Sequence, residues 1–386
     1  MAGERALASR AYEDARAHFE RGLVARDIPQ SGTEAASDEG AAALLFGLAQ
    51  AQSATFEGHQ FGEAFAILSR AFEYYAEAGN VVLAVAAAAL PIAVLRFRIP
   101  GTAQLIARAL TLVPVDSHEA GRLHSRYSGV LGVSEGDYEG AQQALERAIA
   151  VAKREGDVTL EVQTLTHAAA VSGAHLHWQE SVDNGLRAIE LAADDENPFS
   201  EHPSRFWTAF SFLHMGELGA ARPHALALLD LVERRSIPRQ LASTSFSPIT
   251  TLSCLEGDWK AGREYIDRAL ELSPLNPVFL LPRIMLEHEL GESAQGEVYL
   301  ERLLEAAGRD NPDRSFASAR MSFAIAMIAR ITGIPDRLDI AEAAAEEVLS
   351  RQSVPPTVPC TPMPDWPYWL CGRAIGLRRR SIMIIL

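Results

Sequence analysis

Apolar and small side chains along most of this chain recur three and four residues apart, the spacing of one helical face. Residues 136–148 show the pattern most fully. Gly136 can take positive φ and end one helix, and Asp137 can cap the next. Tyr138, Ala141, Leu145 and Ala148 then fall on one face. The motif is an aromatic, two residues, a small residue, three residues, a hydrophobe, and then an Arg one residue before a small or apolar position.

The motif returns as Tyr12/Ala15, Phe61/Ala64, Trp178/Ser181 and Trp259/Gly262, besides Tyr138/Ala141. Looser copies start at Leu218, Ser293 and Leu338. The anchors from 138 onward are separated by 40, 40, 41, 34 and 45 residues. A period near 40 predicts stacked helix pairs. Pairs are expected at 41–56 with 60–78, 80–98 with 101–113, 117–135 with 137–155, and 157–176 with 178–193. Further pairs are expected at 202–217 with 218–235, 239–256 with 258–273, 276–290 with 292–308, and 313–332 with 336–351. Ahead of them, a stub at 2–9 precedes one full second helix at 10–25, and 28–40 is a polar acidic loop.

A helix of about a dozen residues is marginal alone in water, so each must bury its apolar stripe against neighbours. The small residue of the motif lets two helices approach closely, and the aromatic three residues earlier is expected to fill the gap beside it. Burying such a side chain is worth roughly 1.5–3 kcal/mol. The expected fold is therefore all-α: a right-handed α-solenoid over residues 1–352, with the first helices lining a concave face. From Ser353 the pattern stops. Residues 353–386 hold six of the twenty prolines, Trp366, Trp369 and Arg378–Arg380. They are expected to be an irregular tail, either the product of a shifted reading frame or a lid over the last repeat.

Composition narrows the function. The chain has 386 residues, 48 % hydrophobic and 22 % charged, which excludes disorder throughout. Its net charge of −15 would repel phosphate backbones and anionic lipid, so no direct nucleic acid and no membrane partner is expected. The apolar run 81–95, interrupted by Pro91, is too short to span a bilayer. Cys254, Cys360 and Cys371 lack metal-knuckle spacing and fit a reducing, cytoplasmic setting.

Chemical motifs are few. Gly132–Gly136 has the Gly-x-Ser-x-Gly form of a nucleophile elbow, but a helix precedes it where a strand is required. His175 and His177, two apart on a helix, would point to different sides, with no third ligand. His118, Glu119 and His124 miss the zincin spacing, and Asp194–Glu196 lacks a calcium-loop pattern. No phosphate loop occurs. Cys254 lies on an apolar helix face and reads as a core residue. No catalytic, metal or cofactor site is expected, and the chain is read as a non-enzyme.

The copies at Tyr12, Phe61, Tyr138, Trp178 and Trp259 resemble tetratricopeptide repeats. Their long period, with the stretches 116–122, 135–141 and 299–305, is similar to the MalT-like helical-repeat region of large bacterial regulators. That resemblance implies a protein-interaction or effector-sensing module for signal transduction. In such proteins the repeats follow an ATPase module, sometimes with a cyclase, and can precede a LuxR-type DNA-binding domain. This chain carries neither motif, and its initial stub and the break at Ser353 suggest a piece of a longer ancestor. The expected partner is a protein or peptide in the groove, neutral or basic given the acidic chain. The alternatives are a free-standing adaptor and an enzyme with its site in the groove. The lysine–asparagine clamp of chaperone repeats is not expected, because Lys153 and Lys260 fall on second helices.

Overall fold

The computed structural model describes residues 2–56, 60–91, 99–192, 198–234, 237–308, 315–334 and 336–350. The described residues form helices and no strands. In chain order these are α1 (Ala2–Ala8), α2 (Tyr12–Ala25), α3 (Glu39–Thr55), α4 (Phe61–Glu77), α5 (Val81–Ala88) and α6 (Thr102–Leu110). Next come α7 (His118–Gly129), α8 (Tyr138–Glu155), α9 (Val158–Ala174), α10 (Trp178–Leu191), α11 (Pro198–His214) and α12 (Leu218–Arg234). The series ends with α13 (Arg239–Thr244), α14 (Phe246–Leu255), α15 (Trp259–Leu272), α16 (Pro277–Glu289), α17 (Ser293–Gly308), α18 (Ser315–Thr332) and α19 (Leu338–Leu349).

Local chemistry sets the boundaries. Asp137, Asp157 and Asp258 cap α8, α9 and α15 by accepting the backbone N–H groups of Gly140, Leu160 and Ala261. The turns before α8, α12, α15 and α17 each hold one left-handed glycine, Gly136, Gly216, Gly257 and Gly291. Leu176 occupies the corresponding place in the α9–α10 turn with φ +66°, a conformation that its Cβ penalises.

Successive helices pack as hairpins, α7 on α8, α9 on α10, α11 on α12 and so on to α18 on α19. First helices also stack on first helices: α7 on α9, α9 on α11, α11 on α14, and α16 on α18. In addition α3 touches α13, far away in the sequence, so the row bends back with its first helices on the inside. The apolar core is a string of clusters. One runs from Ala15 to Val130, others join α9 to α12 and α11 to α14, and another runs from Phe246 to Ala344. This is what a fold built by adding neighbours produces.

Three details differ from the sequence expectation. Helix α5 ends at Ala88, just before Pro91, and 92–98 lie outside the described residues. The expected helix 239–256 is two, α13 and α14, that meet at Ser245. The end of the α7 helix widens into a π-turn at Val130–Ser134, which takes up one extra residue in that repeat. The expected tail at 353–386 lies outside the described residues.

Candidate functional site

The first helices carry an unusual inner seam. Where two helices stack, apolar contact is the default, yet side-chain hydrogen bonds join these helices one to the next. Ser125 on α7 meets His167 on α9, Oγ to Nδ1 at 3.1 Å, and Thr166 on α9 meets Ser204 on α11, hydroxyl to hydroxyl at 2.7 Å. His202 on α11 reaches the Ser245 hydroxyl at 3.0 Å, and Asn276, which caps α16, donates to Ser243 Oγ at 3.2 Å. A neutral hydrogen bond nets only about 1 kcal/mol over its hydrated partners. The seam therefore gains little over an apolar one, and its serine, threonine and asparagine side chains are sealed between the stacked helices.

Buried arginines divide by how they are satisfied. Arg70 on α4 donates to the carbonyls of Glu34, Pro29 and Gln30, so its charge organises the acidic loop before α3. Arg283 on α16 lies 2.9 Å from Glu287 and 3.3 Å from Asp267, with its guanidinium over the Tyr299 ring. Glu287 also receives Arg263 at 2.7 Å.

Arg126 on α7 is different. It is 8 % exposed, its Nε is sealed without a partner, and it makes no hydrogen bond or ion pair among the described residues. Burial pulls its guanidinium down to about 10, which leaves it charged at neutral pH. The neighbouring His167 is pushed down to about 3, first by burial and then by the Arg126 charge, so it stays neutral.

The residues singled out in the sequence fall into two groups. The small members are sealed: Ala15, Ala64, Ala141 and Ser181 are fully buried. A Cβ on Gly262 would come within 2.8 Å of Cys254 Sγ. The aromatic members vary. Phe61 is 1 % exposed, Tyr12, Tyr138 and Trp178 are half-buried, and Trp259 is 38 % exposed. Tyr138 packs against the cluster that holds Ala141, and both Tyr138 and Trp178 also lean onto the next repeat. Tyr138 packs against His175 and His177, and Trp178 against Phe210 and His214.

His175 and His177 need a correction. They lie in a turn and not on a helix, and the positive φ of Leu176 brings both rings to Tyr138, each 4.9 Å away. His177 Nδ1 meets the Tyr138 hydroxyl at 2.9 Å, and His175 Nε2 meets the Gly132 carbonyl at 2.8 Å. The pair is a clamp between repeats.

Ser134 belongs to the π-turn, with no strand before it. His118 pairs with Asp157 at 2.6 Å across a repeat junction, and His124 is buried. Cys254 is buried, which pushes its thiol up to about 11. Lys153 and Lys260 sit on the second helices α8 and α15. Asp194–Glu196, Cys360, Cys371 and Arg378–Arg380 lie outside the described residues. Among the described residues no cluster of His, Cys, Asp or Glu is placed to hold a metal ion, and no helix is long and apolar enough to cross a membrane.

Helical periodicity does not single out Arg126, although α7 carries a signal. Its positions three and four residues away are Arg122, Leu123, Gly129 and Val130, with no acid to pair it.

No family model matches the chain, and no curated protein matches it. Among solved structures it is similar to the crystal structure of a Rap protein complexed with competence and sporulation factor. The TM-score is 0.51 at 12 % identity, over 91 % of this chain and 95 % of that one. The chain has a tetratricopeptide-like helical-repeat fold. At that identity the likeness extends to architecture and not to residue roles.

Proposed function

We propose that this protein is a non-catalytic interaction scaffold that holds a protein or peptide segment against the inner face of its first helices. The observation that carries this reading is the row of first helices, joined one to the next by the polar seam from Ser125 to Asn276, on the inside of the bend marked by the contact of α3 with α13. Support comes from a shared fold with a Rap protein solved in complex with competence and sporulation factor. The regulatory setting, as the repeat module of a MalT-like or LuxR-type bacterial regulator acting with an ATPase or cyclase, is a finer part of the proposal. It rests on the sequence resemblance, and reading the neighbouring DNA for a phosphate-loop motif tests it. The cytoplasm is the proposed location.

A binder selected from a peptide library on the full chain provides the functional test. Arg122 and Gln163 are exposed on α7 and α9, whereas Glu146 and Lys153 are exposed on the second helix α8. Gln163→Glu and Arg122→Glu are expected to weaken the selected peptide about tenfold or more, near 1.4 kcal/mol. Glu146→Lys and Lys153→Glu should leave it unchanged. Loss of binding from the second-helix changes alone would overturn the assignment of the face. Because the chain is acidic, a neutral or basic peptide should be preferred, and its binding should fall as salt rises.

A further inference from the structure

Arg70 and Arg283, buried like Arg126, have their charges answered by carbonyls and carboxylates, in a chain with 50 acidic residues to choose from. Arg126 has no such partner among the described residues. An uncompensated buried charge is expensive, so the fold tolerates at this place something that folding alone does not ask for. Its surroundings do not supply an anion either. His167 is neutral, and its Nδ1 is already engaged by the Ser125 hydroxyl at 3.1 Å. Arg122, one turn earlier on the same helix, is exposed and also has no carboxylate among the described residues. Of the Arg126 nitrogens, Nε alone is sealed. The two terminal nitrogens, coplanar in the guanidinium, are not sealed and have no hydrogen-bond partner among the described residues.

We propose that Arg126 is a receptor for one carboxylate of a bound peptide, taken end-on by its two terminal nitrogens, with Arg122 at the rim. One fixed positive charge matches one carboxylate, and the planar fork matches its two oxygens. This deepens the scaffold reading and rests on it for the identity of the ligand. A peptide that is neutral or basic overall, with a single carboxylate such as its C-terminus, satisfies both the acidic chain and this local contact.

The test uses the full chain and acetate as the probe, with thermal unfolding followed by circular dichroism at matched ionic strength in chloride. Wild type should melt higher in acetate than in chloride. Arg126→Met should melt higher than wild type in chloride, because the lone charge is gone, and should show no acetate response. Arg126→Lys, which keeps the charge but loses the fork, should show a response reduced by at least half. An acetate response of equal size in Arg126→Met would overturn the site. So would a lower melting point for both variants in chloride, which would reveal an internal partner. An inorganic phosphate response that is lost in Arg126→Met and exceeds the acetate response lost there would overturn the carboxylate assignment. Acetate needs no peptide, so failure here removes Arg126 and leaves the scaffold reading to its own peptide test.

Discussion

Phe19 offers a perturbation whose size and sign both follow from geometry. Its ring is 2 % exposed and lies between two glycines of neighbouring helices, Gly3 on α1 and Gly47 on α3. A Cβ at Gly47 would stand 2.3 Å from two ring atoms, and one at Gly3 would stand 2.8 Å away, so the ring has no room to retreat. Phe19→Ala removes the ring and leaves a cavity, which should cost about 3–5 kcal/mol. Gly47→Ala in the wild type gains about 1 kcal/mol of helix propensity but loses about 1–3 kcal/mol to overpacking. It should therefore be neutral to destabilising by about 2 kcal/mol. In the Phe19→Ala background the obstruction is gone, and the same substitution should stabilise by about 1 kcal/mol. Urea titration of the four proteins by far-UV circular dichroism gives the coupling energy, expected at about 1–3 kcal/mol. If Gly47→Ala changes stability by the same amount in both backgrounds, the ring does not sit where the account puts it.

Other expectations are independent of that cycle. Glu287→Ala strands Arg283, although Asp267 remains 3.3 Å away, so the loss should lie near the low end of about 3–5 kcal/mol by urea titration, with Glu287→Gln milder. Leu176→Gly relieves a left-handed leucine and should raise stability by about 1 kcal/mol, less what the added freedom of the unfolded chain removes; a melting point that falls would contradict this. Burial holds His167 down to about 3 and His214 down to about 4, against an ordinary value of 6.5. Below pH 6.5 the unfolded chain takes up protons that the folded chain refuses. Stability should thus be fully present above pH 6.5 and fall by up to about 1.4 kcal/mol per pH unit per histidine down to pH 4, as measured by unfolding at each pH. Flat stability between pH 7 and 4.5 would refute the burial of both rings. Cys254, raised to about 11, should react with iodoacetamide at pH 8 on the order of 100-fold more slowly folded than unfolded, read by mass spectrometry of its peptide.

The sequence made the helices and their pairing legible where a turn combines a left-handed glycine with a capping aspartate, as at Gly136–Asp137, Gly156–Asp157 and Gly257–Asp258. The small residues of the motif marked close helix approach, since Gly262 meets Cys254 and Ser181 bonds to the Ala169 carbonyl at 2.7 Å. The aromatics were legible in helix position and not in which repeat they touch, because the motif is read within one segment. The half-buried Tyr138 and Trp178 lean onto the following repeat, and Trp259 stays partly exposed. The break at Ser245 was hidden although Pro248 stands in the first turn of α14, because Pro203, Pro223 and Pro282 lie inside helices that continue. The polar seam depends on pairing between residues about 40 apart, which helical periodicity within one segment does not encode.

Amide hydrogen exchange on Phe19→Ala and Glu287→Ala, side by side with the wild type, tests most directly whether the hairpins are held by their neighbours. The string of separate clusters predicts that Phe19→Ala strips protection from α1 to α4 and leaves α16 to α19 as they were, and that Glu287→Ala does the reverse. Equal loss of protection across all helices in either variant would contradict the account.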